Sequence, residues 1–388
     1  MHYNTIFYQL QTFFPRHHFE KIVRAHKGDR YTKNFSCWQQ FLTMLYAQAS
    51  EKDSIRDIII CLNIHKKKWY HLGLKNLTRS NLSYANSKRP YQIYEEFFYV
   101  FLEKCKTIIP KHKFKFKNPL YALDSTTVDL CLSLFEWAKF RQRKGGLKIH
   151  TLLELGGNIP SFIVITEAKT HDVKAVQNIQ FPISSDSIIV MDRGYIDFKW
   201  LKNLDNSGVF WISRAKSNLT YSLIGQLKFK KNTGVLNDNI ILLTGVKSAK
   251  NYSDKIRLIE YYDKETETKY LFLTNNFKLS AYTISQIYKA RWQVELFFKW
   301  IKQNLKIKTF LGISRNAVLS QIWIAMIYYL LLIYIKHQTK YNHSLLDLNR
   351  IIKESLFMQL NLIDLLSIDK KDITPLKNFE QLELPWDL

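Results

Sequence analysis

Hydrophobic and polar residues keep three successive rhythms along this chain. Up to about residue 109 the apolar positions recur at helical spacing. Residues 35–49 (FSCWQQFLTMLYAQA) predict one helix, and Ser54 predicts the cap of another over 55–64, with Asp57 at capping-box spacing. A basic, aromatic stretch (HKKKWYHLGLK) leads to a short helix from Thr78, and residues 91–109 read as an amphipathic helix. Two short helices followed by a third with Arg, Ser and Asn at its start suit a helix-turn-helix-like groove reader, a pattern that small helical bundles share.

Residues 110–119 (PKHKFKFKNP) read as a linker, two prolines bracketing alternating Lys and aromatics. The rhythm then shortens. Residues 120–132, 147–155 and 159–166 predict strands, the last two joined by the turn Gly156-Gly157-Asn158. A helix near 173–179, a strand at 187–191, a helix at 198–206 and a strand at 209–213 follow, which is an α/β pattern. Residues 214–276 are strand-like with turn residues at 231–234 and 263–265, and almost no helical period. The expected organisation is a helical N-terminal DNA-binding domain (1–109), the linker (110–119), the first part of an α/β core (120–213), a β-rich insertion domain (214–276), the second part of the core (277–310) and a helical C-terminal region (311–388).

Charge narrows the function. Lys and Arg outnumber Asp and Glu by 57 to 33, a formal net charge of +24 over 388 residues. Such an excess favours binding a polyanion, nucleic acid first and an anionic membrane surface second. An AT-rich coding bias toward Lys inflates the figure without cancelling it. Cys37, Cys61, Cys105 and Cys131 are far apart, show no metal-type spacing, and read as reduced, mostly buried thiols of a cytosolic protein. The longest apolar run, 322–335 (IWIAMIYYLLLIYI), falls short of the ~20 residues of a membrane span and reads as a buried core helix. No signal peptide is expected at the start, and no membrane association.

The chemistry concentrates in three acids. Asp124 ends an apolar strand segment (LYALDST) and Asp192 ends another (SIIVMDRGY), positions that point into the crevice where α/β sheets place ligands. A turn or helix-cap role is the plain alternative for each, and a good one for Asp192. The third acid lies in residues 288–302 (YKARWQVELFFKWIK), read as one helix. At about 100° per residue, Tyr288, Arg291, Glu295 and Lys302 fall within roughly 60° of one face. Val294, Phe297, Phe298, Ile301 and Leu305 form the apolar stripe beside it. Taken alone, Glu295 is an acid paired to Arg291 at helical spacing. Together the three acids suit phosphodiester hydrolysis or transfer by two divalent metals, Mg²⁺ with Mn²⁺ as a substitute. Arg291 and Lys302 would hold the DNA backbone, with Tyr288 on a phosphate or sugar.

Tyr288, two residues, Arg291, three residues, Glu295, six residues and Lys302 spell the YREK signature, and the chain resembles the family-four insertion-sequence transposases, bacterial DDE enzymes that include the Tn-five-like group. Asp124 in LDST and Asp192 in DRGY resemble the first two acids of the DDE triad. FSCWQQFLTMLYAQ, DSIRDI, TRSNLSYANSKRP and FLGISRNAVLSQIWIAMIYYLLL extend the resemblance over nearly the whole chain. It implies an RNase H-like catalytic core, a mixed sheet with flanking helices, in which Asp124, Asp192 and Glu295 ligate metal. It also implies a homodimer in a synaptic complex on transposon-end DNA, the terminal inverted repeats, and on target DNA, in the bacterial cytoplasm at the nucleoid. Cut-and-paste transposition through a hairpin intermediate is the implied course. An inactive or domesticated DNA-binding derivative and a host nuclease with an RNase H-like core are the alternatives; the intact acids argue against the first and the long helical flanks against the second.

Several residues stay open at this level. Lys139, Arg141, Arg143, Lys144 and Lys148 form a basic hairpin that tracks DNA or is simply a solvated turn. Arg193, beside Asp192, joins the expected DNA contacts. His150 and Thr170-His171-Asp172 fit a hydrogen-bonded His and a helix-start Asp better than an acid/base pair. Trp211 and Trp292 suit either base stacking or the core.

Overall fold

The computed structural model describes residues 4–75, 77–110, 112–131, 133–141, 144–177, 182–307 and 309–367; for 139–141 and 144 it describes the backbone only. The chain opens with seven helices: α1 (Ile6–Thr12), α2 (Arg16–Ala25), α3 (Cys37–Ala49), α4 (Ile55–Ile64), α5 (Trp69–Leu72), α6 (Arg79–Lys88) and α7 (Gln92–Lys106). Their starts are set by local chemistry. Ser36 and Gln39 close a reciprocal capping box on α3, Ser54 accepts from the Asp57 amide on α4, and Thr78 accepts from the Asn81 amide on α6. A buried polar chain then fixes α6 on α3. Gln40 donates to Asn86 at 2.9 Å, Arg89 donates to Gln40 at 3.1 Å, and Arg89 also reaches the Phe35 carbonyl.

The centre is one ten-stranded sheet. Its strands are β1 (Leu120–Leu130), β2 (Lys139–Arg141), β3 (Lys144–Glu154), β4 (Ile159–Glu167), β5 (Ile188–Met191), β6 (Phe210–Arg214), β7 (Tyr221–Gln226), β8 (Val235–Leu243), β9 (Ile256–Asp263) and β10 (Thr268–Thr274). They run in the order β2-β3-β1-β5-β6-β10-β9-β8-β7, with β4 paired to β3 off that path. β1, β5 and β6 are parallel and β3 and β4 antiparallel, so the core is a mixed α/β sheet, as expected. The strands expected as an insertion, β7 to β10, lie in this same sheet: β10 pairs with β6 through Leu273↔Ser213 and carries the ladder outward. That stretch also holds a short helix, α10 (Val246–Asn251), which its sequence period did not announce.

Helices cover both faces. On one face, α8 (Asp172–Gln177) and α9 (Phe198–Asn206) stand over β5 and β6, and Leu201 and Leu204 pack with Ile189, Met191 and Trp211. Trp211 is fully buried there, edge-on to Tyr252, so it belongs to the core and cannot stack on a base. On the other face lie α11 (Ala281–Ala290) and α12 (Trp292–Asn304), followed in the chain by α13 (Arg315–Gln338), α14 (Leu345–Ser355) and α15 (Leu362–Ser367). One continuous apolar cluster joins this side of the sheet to the N-terminal helices as well as to α13 and α14.

α13 departs from its expectation in length. It runs 24 residues, long and apolar enough to cross a membrane, because the helix continues past the apolar run at its N-terminal end. Every residue from Ala317 to Ile335 is nevertheless buried inside the protein, packed by α3, α6, α7 and α14. A helix apolar all round and covered all round is a core element. Of the four thiols, Cys37 and Cys105 are buried, Cys61 half-buried and Cys131 exposed, fewer in the core than expected.

The approach to α11 is pinned by charge. Arg257 on β9 makes a two-pronged pair with Asp238 on β8, at 2.8 and 2.7 Å, and both side chains are almost wholly buried. The same guanidinium donates to the carbonyls of Asn276 and Leu279, at 3.0 and 2.6 Å. The outer strands thereby hold the segment that delivers α11 and α12 to the sheet.

Candidate active site

Strand register brings the first two acids together. In the parallel pair β1–β5, Leu123 lies opposite Met191, so Asp124 and Asp192 are the next residues on adjacent strands. Side chains alternate along a strand, which puts both acids on the face that carries Ala122 and Val190. That face packs against Val294, Phe297, Phe298 and Ile301 of α12, all buried, as the stripe predicts. Asp192 ends β5, but Asp124 does not end its strand: β1 runs on to Leu130 because β3 goes on pairing with it where β5 has stopped. Asp124 therefore sits on the shelf left by the end of β5. Asp192 makes no capping hydrogen bond to the turn after it, so the cap explanation for this residue is not realised.

The third acid arrives on α12, and Arg291 ties it in. The Arg291 guanidinium donates to Asp124 Oδ2 at 2.9 Å and to Glu295 Oε1 at 2.6 Å. Residues 288–302 are accordingly not one helix. α11 ends at Ala290 and α12 begins at Trp292, with Arg291 between them. The Arg291 and Val294 amides bond three residues back, to Tyr288 and Arg291, which tightens the chain at the junction. Tyr288 thus lies on α11, 9% exposed, its ring 4.7 Å from that of Phe272. It is a wall of the site, with its hydroxyl buried and unpaired.

Crowding shows in the electrostatics. Burial pushes the Asp124 carboxyl up to about 6, the Ser125 amide and Arg291 pull it back, and Glu295 and Asp192 push it further. Burial likewise raises the Tyr288 phenol to about 12, against the pull of Arg291 and with a push from Asp192. So Asp124 feels both of the other acids. Among the described residues no three His, Cys, Asp or Glu side chains converge closely enough to hold a metal ion. The donor set nonetheless fits one in kind: hard carboxylate oxygens from three elements, two of them already held by a cation. The Nε of Arg291 is buried and unpaired beside them, so the guanidinium is not locked on every side.

The other expected contacts divide. Arg193 is exposed next to Asp192, and Lys302 is half-buried in the last turn of α12. Trp292 is 56% exposed, unlike Trp211. The side chains of Lys139, Arg141 and Lys144, and all of Arg143, fall outside the described residues. Lys148 turns inward: its ammonium lies 3.2 Å from Asp172 and donates to the Thr170 carbonyl at 3.2 Å. His150, 2% exposed, is kept neutral by burial and by Lys148, its value lowered to about 4 despite Asp172 nearby. It bonds Thr166 at 3.0 Å. Sequence reasoning missed two links: the grip of Arg291 on Asp124, and Asp172 as more than a helix-start residue. The triplet Thr170-His171-Asp172 was the only signal for the second.

Comparison with known proteins gives the chain its relatives. Residues 115–331 match the family described as "Transposase DDE domain", and residues 2–75 match one described as a domain of unknown function. Three relatives carry transposase names. The y4zB chain of Sinorhizobium fredii is 32% identical over 65% of this chain and 69% of its own length. That of insertion sequence element IS5377 from Geobacillus stearothermophilus is 26% identical over 76% and 80%, and that of IS4SA from Synechocystis sp. 26% over 65% and 70%.

Proposed function

The chain belongs to the DDE transposase family, and from that premise we propose that Asp124, Asp192 and Glu295 are its catalytic centre for breaking and joining phosphodiester bonds at the ends of its own element. It is a transposase of the insertion-sequence type, an enzyme that cuts and transfers DNA strands. The observation that carries the residue assignment is the Arg291 bridge from Asp124 to Glu295, with Asp192 next to Asp124 by register.

Divalent metal is the family's cofactor, here Mg²⁺ as two ions with Mn²⁺ as a substitute, held by oxygens of the three acids. When bound it activates a water or a 3′-hydroxyl and stabilises the leaving oxygen. The chain's own residues do the rest. The apolar stripe of α12 seats Glu295 against the sheet, and Tyr288 walls off one side. Arg291, once its carboxylates are otherwise neutralised, turns to the scissile phosphate, and Arg193 and Lys302 hold the flanking backbone. Water hydrolyses the bond at the element end to free a 3′-OH; that hydroxyl attacks the opposite strand, closing a hairpin and releasing the flanking DNA with its own 3′-OH; a second water hydrolyses the hairpin, and the freed 3′-OH attacks target DNA, displacing a target 3′-oxygen.

We assign recognition of the terminal repeats to the N-terminal helices. A cavity of about 650 Å³ lies between residues 27–35 and α6, lined by Lys27, Arg30, Lys33 and Lys88 with Tyr31 and Tyr84. Both tyrosines are exposed, and residues 78–90 carry no acid. A basic groove with exposed aromatics, in which Asp29 of residues 27–35 lies 3.7 Å from the Arg89 guanidinium, suits duplex DNA. Two protomers would pair two ends in one synaptic complex, at the nucleoid in the bacterial cytoplasm.

The test is cleavage of a labelled duplex bearing the inverted repeats that flank the gene, by full-length protein in Mg²⁺. Wild type should give nicked and then hairpin products, and Glu295→Gln and Asp192→Asn neither. Cleavage by Glu295→Gln at the wild-type rate would refute the assignment; nicks that never become hairpins would refute the proposed course.

A further inference from the structure

A fourth carboxylate stands behind Asp124, on the opposite face of the sheet. Asp172, the first residue of α8, accepts a hydrogen bond from the Ser125 hydroxyl at 2.6 Å. Ser125 follows Asp124 in β1, and its amide donates to Asp124 Oδ1 at 2.8 Å. Asp172 is itself fixed, by the Lys148 ammonium at 3.2 Å, while neutral His150 lies 3.7 Å away with its Nδ1 buried and unpaired. Lys148 and His150 project from β3 opposite Thr127 and Ser125, so the cluster is built on the same strand pair that carries Asp124. An Asp at a helix start needs none of this. Its place in the first turn of a six-residue helix explains neither the short Ser125 bond nor the inward Lys148.

We propose that Asp172 is a positioning residue for Asp124, acting through Ser125. The inference rests on Asp124 being a metal ligand. Alternation along β1 sends the Ser125 side chain to one face and the Asp124 side chain to the other. Holding the Ser125 hydroxyl from behind fixes the backbone between them, and with it the amide that occupies Asp124 Oδ1. Oδ2 is left directed at Arg291 and at the ion that would replace it. Orientation of a ligating carboxylate by such outer partners is worth about 10–100-fold in metal affinity. The required feature is an acceptor for the Ser125 hydroxyl, and an amide oxygen can supply it.

The test is Mn²⁺ binding to full-length protein without DNA, followed by electron paramagnetic resonance, with thermal unfolding in EDTA alongside. Asp172→Ala and Ser125→Ala should each weaken Mn²⁺ binding about 10-fold. The double variant should be no weaker than the worse single one, because both break one link. Asp172→Asn should bind close to wild type. Wild-type affinity in Asp172→Ala, or additive losses in the double variant, would overturn the proposal. Should Asp172→Ala fail to fold, Ser125→Ala against Asp172→Asn decides it: a loss in the first and none in the second supports the link, and any other pairing overturns it. Asp124→Asn separates the two levels. If it binds Mn²⁺ as wild type does, the metal-site reading fails; if it loses binding while Asp172→Ala does not, only the positioning role fails.

Discussion

Replacing Arg291 by Gln should make the protein less stable without metal and more avid for metal, while lowering DNA cleavage. The guanidinium is 13% exposed, and its partners Asp124 and Glu295 are 20% and 33% exposed. Removing one member of a fully buried charge pair costs about 3–5 kcal/mol. With Glu295 a third exposed and the Asp124 carboxyl able to take up a proton near pH 6, about 2 kcal/mol is expected at pH 8 in EDTA. If Mn²⁺ must displace that same interaction, relief of about 2 kcal/mol tightens Mn²⁺ binding by roughly 30-fold in the variant. The assay is urea unfolding with EDTA and then with increasing Mn²⁺, since a ligand of the folded state stabilises by RT ln(1 + [L]/Kd). The stability deficit should shrink toward zero as Mn²⁺ saturates both proteins, yet cleavage should stay low because no guanidinium remains for the phosphate. Equal Mn²⁺ stabilisation of both proteins would refute the idea that Arg291 occupies the metal's place.

Asp124 has a folded value of about 6 against an ordinary 3.8, so its cost is absent below pH 4 and develops as pH rises through 6. Asp124→Asn should therefore stabilise metal-free protein at pH 8 by at most about 3 kcal/mol, the Arg291 attraction being already contained in that figure, with no gain at pH 4; denaturant titration at the two pH values measures it. Phe297→Ala removes a buried ring of the α12 stripe and should cost about 3–5 kcal/mol, whereas Glu295→Gln should fold normally and fail only in cleavage, as parallel melts and gels would show. Arg79→Ala with Lys88→Ala should weaken end binding and flatten its dependence on salt by close to one unit of log–log slope per lost phosphate contact. An unchanged slope would remove α6 from the DNA interface.

Local chemistry was legible from sequence and long-range chemistry was not. Ser54 and Thr78 announce helix starts because a cap is completed within four residues. The α12 stripe is legible because 3.6-residue periodicity survives any tertiary context. The break at Arg291 is not, since nothing within the helix demands it and its partner Asp124 lies far back in the chain. The strand character of 214–276 was legible as a whole, but its continuation of the core sheet depends on β10 meeting β6, a pairing no local pattern encodes. Lys148 illustrates the limit most sharply: a basic residue in a basic loop reads as a DNA contact, and only the fold reveals Asp172 beneath it.

The central claim is that Asp124, Asp192 and Glu295 share one metal centre, and iron-directed self-cleavage tests it most directly. Fe²⁺ replaces Mg²⁺ in the full-length protein, ascorbate and peroxide generate hydroxyl radicals at the bound ion, and mass spectrometry maps the cut backbone. The account predicts cuts clustered beside residues 124, 192 and 295 together, suppressed by excess Mg²⁺ and lost in Asp192→Asn. Cuts at one of these segments without the others, or a pattern that Asp192→Asn leaves intact, would contradict it.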